Sequence, residues 1–457
     1  MRKWAALGVL ALALLLIAVD GTVLALAIPA LQQDLAPSAA EVLWIGDIYS
    51  FVLGGLLVTM GTLGDRIGRK KLLLTGAFGF GLASLLAAFA PSAGWLIVAR
   101  ALLGVAGATI MPSTLSIIRN LFTDPAERTR AVAVWAATAT AGAALGPLVG
   151  GALLEHFWWG SVFVINLPVM AALLVFGAWW LPESRDPDPG PFDLVSAALS
   201  AVGVVPLVYA VKEVALGGPS WTALAAGLVG VAGLWLFVRR QQTSRHPMID
   251  VALFRAPAFS GAVGASMIAI FALTGLVFFL SQYFQNVLGY SPLEAGLREL
   301  PLGLAGVLVV AAIGPVTRLL GRGRAIAAGL LASAGGLVIV GLWSTYGAIA
   351  VALVIIGAGV GLALTLTTDA VVSAVPADKA GAASAVSETA YELGAALGIA
   401  VLGTVLSAWA ATGTFTEAMQ GTAMVAAVLL AVASYVAYRL IPNGERTPRP
   451  AVRADAP

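Results

Sequence analysis

Fourteen apolar runs, each 18 to 29 residues long, divide this chain into segments that a water-soluble core has no room to cover. They fall at 5–31, 42–63, 72–90, 94–119, 131–154, 160–181, 193–212, 221–238, 258–285, 293–316, 325–343, 347–372, 382–410 and 421–441. A helix crosses the hydrocarbon layer of a bilayer in about 20 residues, and in more when tilted. The chain is 60% hydrophobic and 11% charged, against roughly 45–50% and 25% for soluble domains. The expected class is therefore an all-α integral membrane protein with fourteen spans.

The basic residues test the orientation, since Lys and Arg accumulate in cytoplasmic segments. With the N-terminus inside, all of the 25 Lys and Arg except Arg100, Lys212 and Arg298 fall in inner segments. Both termini are then cytoplasmic, as an even number of spans requires. The first run is too long for a signal peptide and lacks a small-residue cleavage site, so it is expected to be retained as a helix. A net charge of +2 gives no reason to expect nucleic acid. The chain has no cysteine and only two histidines, His156 and His246, both in loops, so neither a thiol nucleophile nor a metal centre is expected. No phosphate-binding glycine loop is present and no cofactor is expected.

Residues 61–71, Gly-Thr-Leu-Gly-Asp-Arg-Ile-Gly-Arg-Lys-Lys, form the most specific string. Four basic residues and one acid cannot lie in hydrocarbon, so this is a tight turn at one membrane face. Gly61, Gly64 and Gly68 permit close approach to neighbouring helices. Asp65 can accept from a helix N-terminus or pair with Arg66 or Arg69. Thr317-Arg-Leu-Leu-Gly-Arg-Gly-Arg324 reads as a worn copy. Two copies imply an internal repeat: a bundle of six spans at 1–181, a stiff proline-rich linker and an inserted pair of spans at 182–257, a second six-span bundle at 258–441, and a tail at 442–457.

Acids inside spans carry the candidate chemistry, because a carboxylate at a helix centre costs about 2.5–3.5 kcal/mol on insertion scales. These are Asp20, Asp47, Asp369, Glu388 and Glu392, the last two being four residues apart and on one helix face. Tyr49, Trp135 and Tyr391 are candidate linings of a cation pocket. Arg100 is the intramembrane cation and needs an acidic or polar partner, whereas Arg298 and Glu299 can satisfy each other. Gly142, Gly146, Gly150 and Gly151 with Pro147 form a small-residue, proline-containing helix face suited to close crossing.

These strings together resemble the fourteen-helix drug:proton antiporters of the major facilitator superfamily, the QacA/LfrA-type multidrug exporters, over nearly the whole chain. The resemblance rests on Val19-Asp-Gly-Thr-Val23 with Pro29, Trp44-Ile-Gly-Asp-Ile-Tyr-Ser50, the 61–71 turn, Arg100 with Gly104, the 142–151 glycine string, and Pro376 to Gly381 followed by Ser387-Glu-Thr-Ala-Tyr-Glu-Leu-Gly394. It implies that Asp20 and Glu388 take part in proton coupling or cation recognition, supported by Asp47 and Glu392. It further implies that Gly61, Asp65, Arg66, Gly68 and Arg69 latch an inner gate, that Arg100 belongs to a proton-linked pattern, and that Gly146 and Pro147 shape the interface between the halves. Two departures stand out: Ala411 to Gln420 is short where relatives carry a longer loop, and Ser387 replaces the first of two adjacent acids.

The expectation is a proton-driven, monomeric exporter of lipophilic cations and quaternary ammonium compounds in the cell membrane, working by alternating access. The alternatives are export of an endogenous metabolite, siderophore or lipid, or, from other classes, a membrane-embedded enzyme or a nontransporting sensor. An enzyme is disfavoured because the intramembrane acids have no nucleophile partner.

Overall fold

The computed structural model describes residues 2–187, 193–218, 220–244, 247–290, 292–376 and 380–443. Where no water can hydrogen-bond the backbone, each segment must satisfy its own amides, and every apolar run is helical. The helices are α1 Arg2–Leu35, α2 Ala39–Ile67, α3 Arg69–Ala88, α4 Ala93–Leu121, α5 Pro125–His156, α6 Ser161–Val164, α7 Asn166–Trp180, α8 Leu194–Gly217 and α9 Trp221–Thr243. They continue as α10 Pro257–Gln282, α11 Pro292–Leu308, α12 Val310–Leu320, α13 Arg322–Leu342, α14 Tyr346–Ser373, α15 Ala380–Ala410 and α16 Phe415–Leu440.

Among the described residues, twelve spans are long and apolar enough to cross a membrane, α6 and α7 together counting as one. They become thirteen when α11 and α12, bent by 53° at Val309, count as one. Pro301 and Pro315 flank that bend, and each removes one helical N–H donor. The described residues of α5 do not make up such a span by themselves.

Local chemistry sets the helix starts. Ser38 caps α2 through a reciprocal box in which the Glu41 N–H donates to Ser38 Oγ at 3.3 Å and the Ser38 N–H donates to Glu41 Oε2 at 2.9 Å. The Ser38 backbone N–H, with its hydroxyl, holds the Glu41 carboxyl below its ordinary range. Thr414 and Glu417 repeat the box at α16, after a connection of four residues.

Apolar burial is organised in two large clusters. One is built on α1 to α7, around Leu10, Leu57, Phe80 and Leu103. The other is built on α10 to α16, around Phe279, Leu330, Leu353 and Leu430. The pair α8 and α9 packs on itself, and α8 lies against α2 and α15, where Phe51, Val204, Val208 and Ala396 form a small third cluster. At one end the pair is tied by Arg240, whose Nε and Nη2 donate to Asp193 at 2.9 and 3.0 Å. Large apolar side chains such as Phe78, Trp179, Leu228, Leu331 and Val432 remain exposed on outer helix faces. Patches of that extent suit lipid rather than water. Between the two groups of helices, α15 meets α2 and α4, while α5 meets α11, α12 and α14.

Candidate functional site

Asp20 lies just past the middle of α1 and is 4% exposed. Arg100 of α4 meets it, with Nη1 donating to Asp20 Oδ2 at 3.3 Å. The other carboxylate oxygen accepts from Asn166 Nδ2 at 2.9 Å, and the same amide donates to Ser84 at 3.1 Å. Arg100 also donates through Nε to the Ile45 carbonyl at 3.2 Å, and its guanidinium sits 4.8 Å from the centre of the Tyr49 ring. The intramembrane cation thus has its carboxylate, as its cost in hydrocarbon demands. Asn166 was not singled out from the sequence; its signal is that it is the one amide within the apolar run 160–181.

Gly104 and Gly107 bring α4 against α2 here. A Cβ on Gly104 would lie 2.7 Å from the Tyr49 carbonyl, and one on Gly107 would lie 3.1 Å from the Tyr49 hydroxyl.

Across from this pair, α15 carries Glu388, 4% exposed, and Glu392, one turn on. The two carboxylates lie within each other's electrostatic reach, and the charge of Glu392 also reaches Tyr49. Tyr391 is more open, at 39%. Trp135 is buried, and its indole N–H donates to Thr114 Oγ1 at 3.1 Å, so it ties α5 to α4. Sequence position 47 is helical, but the side chain of Asp47 lies outside the described residues, as do those of Pro147 and Lys212 and the whole of His246.

The 61–71 string closes one face of the molecule. Arg69, not Arg66, pairs with Asp65, donating to Oδ1 through Nε at 2.9 Å and Nη2 at 2.5 Å. The same carboxylate accepts from the amides of Gly381 at 2.9 Å and Ala382 at 3.1 Å, the free N–H groups at the start of α15. A Cβ on Gly61 would lie 2.6 Å from the Gly381 carbonyl, so only glycine lets α2 and α15 close here. Gly68 has φ +112°, a left-handed conformation that favours glycine. Behind it, Glu183 accepts from the amides of Lys70 and Lys71, both at 3.1 Å.

The worn copy repeats this construction. Gly321 has φ +77°, and Asn443 accepts from the Arg324 amide at 2.9 Å. Glu183 and Asn443 each stand three residues beyond the last helix of their group, α7 and α16. Arg322 then donates to Asp369 Oδ2 at 3.0 Å. Asp369 is fully buried and also accepts from Arg128 Nε at 3.0 Å and Thr129 Oγ1 at 2.9 Å, both on α5, and from Ser373 at 3.2 Å. This acid is a junction between α5, α13 and α14, with partners the sequence did not reveal.

One pairing that the sequence allowed is not formed. Arg298 and Glu299 do not satisfy each other: the Arg298 guanidinium stacks 3.7 Å from the centre of the Tyr290 ring, while Arg298 Nε and Glu299 Oε1 are buried without a hydrogen-bond partner among the described residues. Aromatic faces compete well for a planar guanidinium. In the glycine string of α5, Gly142 packs closely on α1. A Cβ on Gly142 would lie 2.7 Å from the Leu15 carbonyl, so the close crossing is with α1; Gly146 and Gly150 are buried, and a Cβ on Gly151 would meet nothing within 4 Å. Among the described residues, no group of three or more His, Asp or Glu side chains is placed to hold a metal ion.

A family model described as Major Facilitator Superfamily matches residues 10–399. The chain is 49% identical over 444 residues to the multidrug efflux pump LfrA of Mycolicibacterium smegmatis, covering 94% of this chain and 88% of that protein. It is 40% identical over 416 residues to the methyl viologen resistance protein SmvA of Salmonella typhimurium, covering 89% and 83%. In fold it is similar to the crystal structure of the human organic anion transporter MFSD10 (TETRAN), with a TM-score of 0.70 at 17% identity over 95% of this chain and 99% of that one.

Proposed function

The chain belongs to the major facilitator superfamily, and from that premise we propose that it is a proton-coupled antiporter exporting lipophilic cationic drugs across the cell membrane. The observation that carries the reading is the pairing of buried charge: Asp20 held on Arg100 in one group of helices, and Glu388 with Glu392 on α15 of the other. Carboxylates kept out of water at such cost serve a cycle in which protons and cations take turns. The relatives named for multidrug efflux and for resistance to methyl viologen, a dicationic bipyridinium, support the same substrate class.

In this reading α5 also crosses, giving fourteen spans with both termini cytoplasmic. Two six-helix bundles, α1 to α7 and α10 to α16, rock about the acids, with α8 and α9 inserted between them, and the protein works as a monomer without a cofactor. The Asp65 and Asp369 contacts hold the inner face shut. Each proton moving inward supplies about 2.3 kcal/mol per 100 mV of membrane potential.

The test is ethidium transport by the full chain in proteoliposomes under an imposed pH gradient, with Asp20→Asn and Glu388→Gln beside the unaltered protein. Gradient-driven transport lost in the variants is the expected result. Transport that ignores the gradient in the unaltered protein removes proton coupling, and absence of ethidium transport removes the cationic substrate class.

A further inference from the structure

Asn166 is fully buried where α7 packs against both α1 and α3. Its amide nitrogen uses both hydrogens, one on Asp20 Oδ1 at 2.9 Å and one on Ser84 Oγ at 3.1 Å. Its carbonyl oxygen is buried without a hydrogen-bond partner among the described residues. A buried polar atom in that condition calls for an explanation, and an ionised Asp20 supplies none. Ser84 is also fully buried and accepts from Asn166, so its own O–H has no acceptor among the described residues. The charges around this point are few. Among the described residues, Arg100 of α4 is the charged group that faces Asp20, and Tyr49 of α2 is the other titratable group within its reach. The side chain of Asp47, also on α2, lies outside the described residues. On α1 no other charge falls between Lys3 and Asp34, and α3 beyond Lys71, α6, α7 and positions 131–154 of α5 hold no charged residue.

We infer that Asn166 is a positioning residue that holds Asp20 in place in both of its charge states, donating to the carboxylate and turning its amide over to accept from the carboxylic acid. The inference rests on the antiport reading above, which brings the proton. Arg100 Nη1 faces Asp20 Oδ2, and a cation beside that oxygen directs the proton to Oδ1. The O–H formed there points at the Asn166 N–H, one donor against another. The last torsion of an asparagine side chain is broad and roughly two-fold, so half a turn exchanges nitrogen for oxygen without moving α7. The Asn166 carbonyl then accepts from Asp20 and from the Ser84 hydroxyl, while Asp20 Oδ2 continues to accept from Arg100. In each orientation one end of the amide makes two hydrogen bonds and the other makes none, so the two are matched by count. One proton is added, and no covalent bond forms or breaks besides the new O–H. The ties among α1, α3 and α7 persist in both states, as rocking of an intact bundle requires.

The test is infrared difference spectroscopy of the full chain in proteoliposomes between pH 4.5 and pH 9, with heavy carbon in the side-chain carbonyl of asparagine. The chain has four asparagines, Asn120, Asn166, Asn286 and Asn443, so the labelled bands are few, and the one lost in Asn166→Leu is assigned. On acidification a carboxylic-acid band is expected, assigned to Asp20 by its displacement in Asp20→Glu. With it the Asn166 carbonyl band is expected to move to lower frequency along the same titration curve, as an unbonded carbonyl gains two donors. An asparagine with only a structural role keeps its band fixed. A fixed band while the Asp20 band appears therefore overturns the inference, and so does the absence of an Asp20 band across that range. If Asn166→Leu does not fold, Ser84→Ala removes one of the two donors to the turned carbonyl and is expected to move the labelled band about half as far. The full movement in Ser84→Ala overturns the inference on its own. Failure of the antiport reading is distinguishable because it appears in ethidium transport by the unaltered protein: transport that ignores the gradient removes that reading, while a moved band still supports the turning amide.

Discussion

Replacing Arg128 by Gln probes the second inner contact by itself. Arg128 reaches Asp369 from α5, whereas Arg322 reaches it from α13, next to α14 in the same group of helices. Stripping a buried carboxylate of its only cation costs about 3–5 kcal/mol, but Asp369 would keep Arg322 at 3.0 Å and the hydroxyls of Thr129 and Ser373. What disappears is one charge-assisted hydrogen bond, worth about 1.5–3 kcal/mol, and it exists only while the inner face is closed. Each 1.4 kcal/mol is about a tenfold change in an equilibrium, so the ratio of open to closed inner face should rise by about 10- to 100-fold. Because the chain has no cysteine, Ala126→Cys and Leu319→Cys can carry spin labels on exposed positions of α5 and α12. Pulsed electron resonance should then show a longer-distance population gaining weight in Arg128→Gln. An unchanged distribution in Arg128→Gln, with a changed one in Asp369→Asn, would refute the claim that Arg128, rather than Thr129 beside it, does the holding.

Other outcomes follow from neighbouring geometry. Gly61→Ala places a methyl 2.6 Å from the Gly381 carbonyl, so α2 and α15 must separate; transport should fall at least about tenfold, while alkylation of a cysteine placed at Ala382 should speed up. Asp20→Asn leaves Arg100 buried without its anion and should cost about 3–5 kcal/mol of stability; adding Arg100→Gln should recover much of the melting temperature in detergent without recovering transport. The Glu41 carboxyl is held below its ordinary range by Ser38, so its cap is fully present above its unfolded pKa, about 4.3, and is lost as pH falls through the lower folded value. Hydrogen exchange at the first turn of α2 should therefore be the same in Glu41→Gln relative to the unaltered chain at pH 5.5 and pH 8, and any difference in that ratio would show that the outer end of α2 senses transport pH.

The helices were legible because hydrocarbon forces the issue: a run of about 20 apolar residues has few other fates. Asp20 and Arg100 were legible for a related reason, since opposite charges inside one membrane protein seek each other, although nothing in the spacing of residues 20 and 100 says that they meet. Asn166 was not legible, because one amide in an apolar run reads as tolerable packing. The partners of Asp65 were half legible. Arg69 stands one turn away, whereas the amides of Gly381 and Ala382 lie more than 300 residues on and carry no side-chain signal. The partners of Asp369 were not legible, because its three strongest donors come from two other helices. The glycines of α5 declare that something comes close, and not which helix it is; for Gly142 it is α1.

Each of the two acids that join the two groups of helices also has a guanidinium on its own side of the seam, Arg69 for Asp65 and Arg322 for Asp369. When the groups part, neither anion is stranded. The partners left behind are all donors, namely the amides of Gly381 and Ala382, the hydroxyl of Thr129 and the guanidinium of Arg128, and the water that enters an opening cleft can solvate every one of them. In the proposed antiport cycle, a closure built in this way resists opening without trapping the molecule, so its two positions stay near enough in free energy for a single proton or a single bound cation to choose between them.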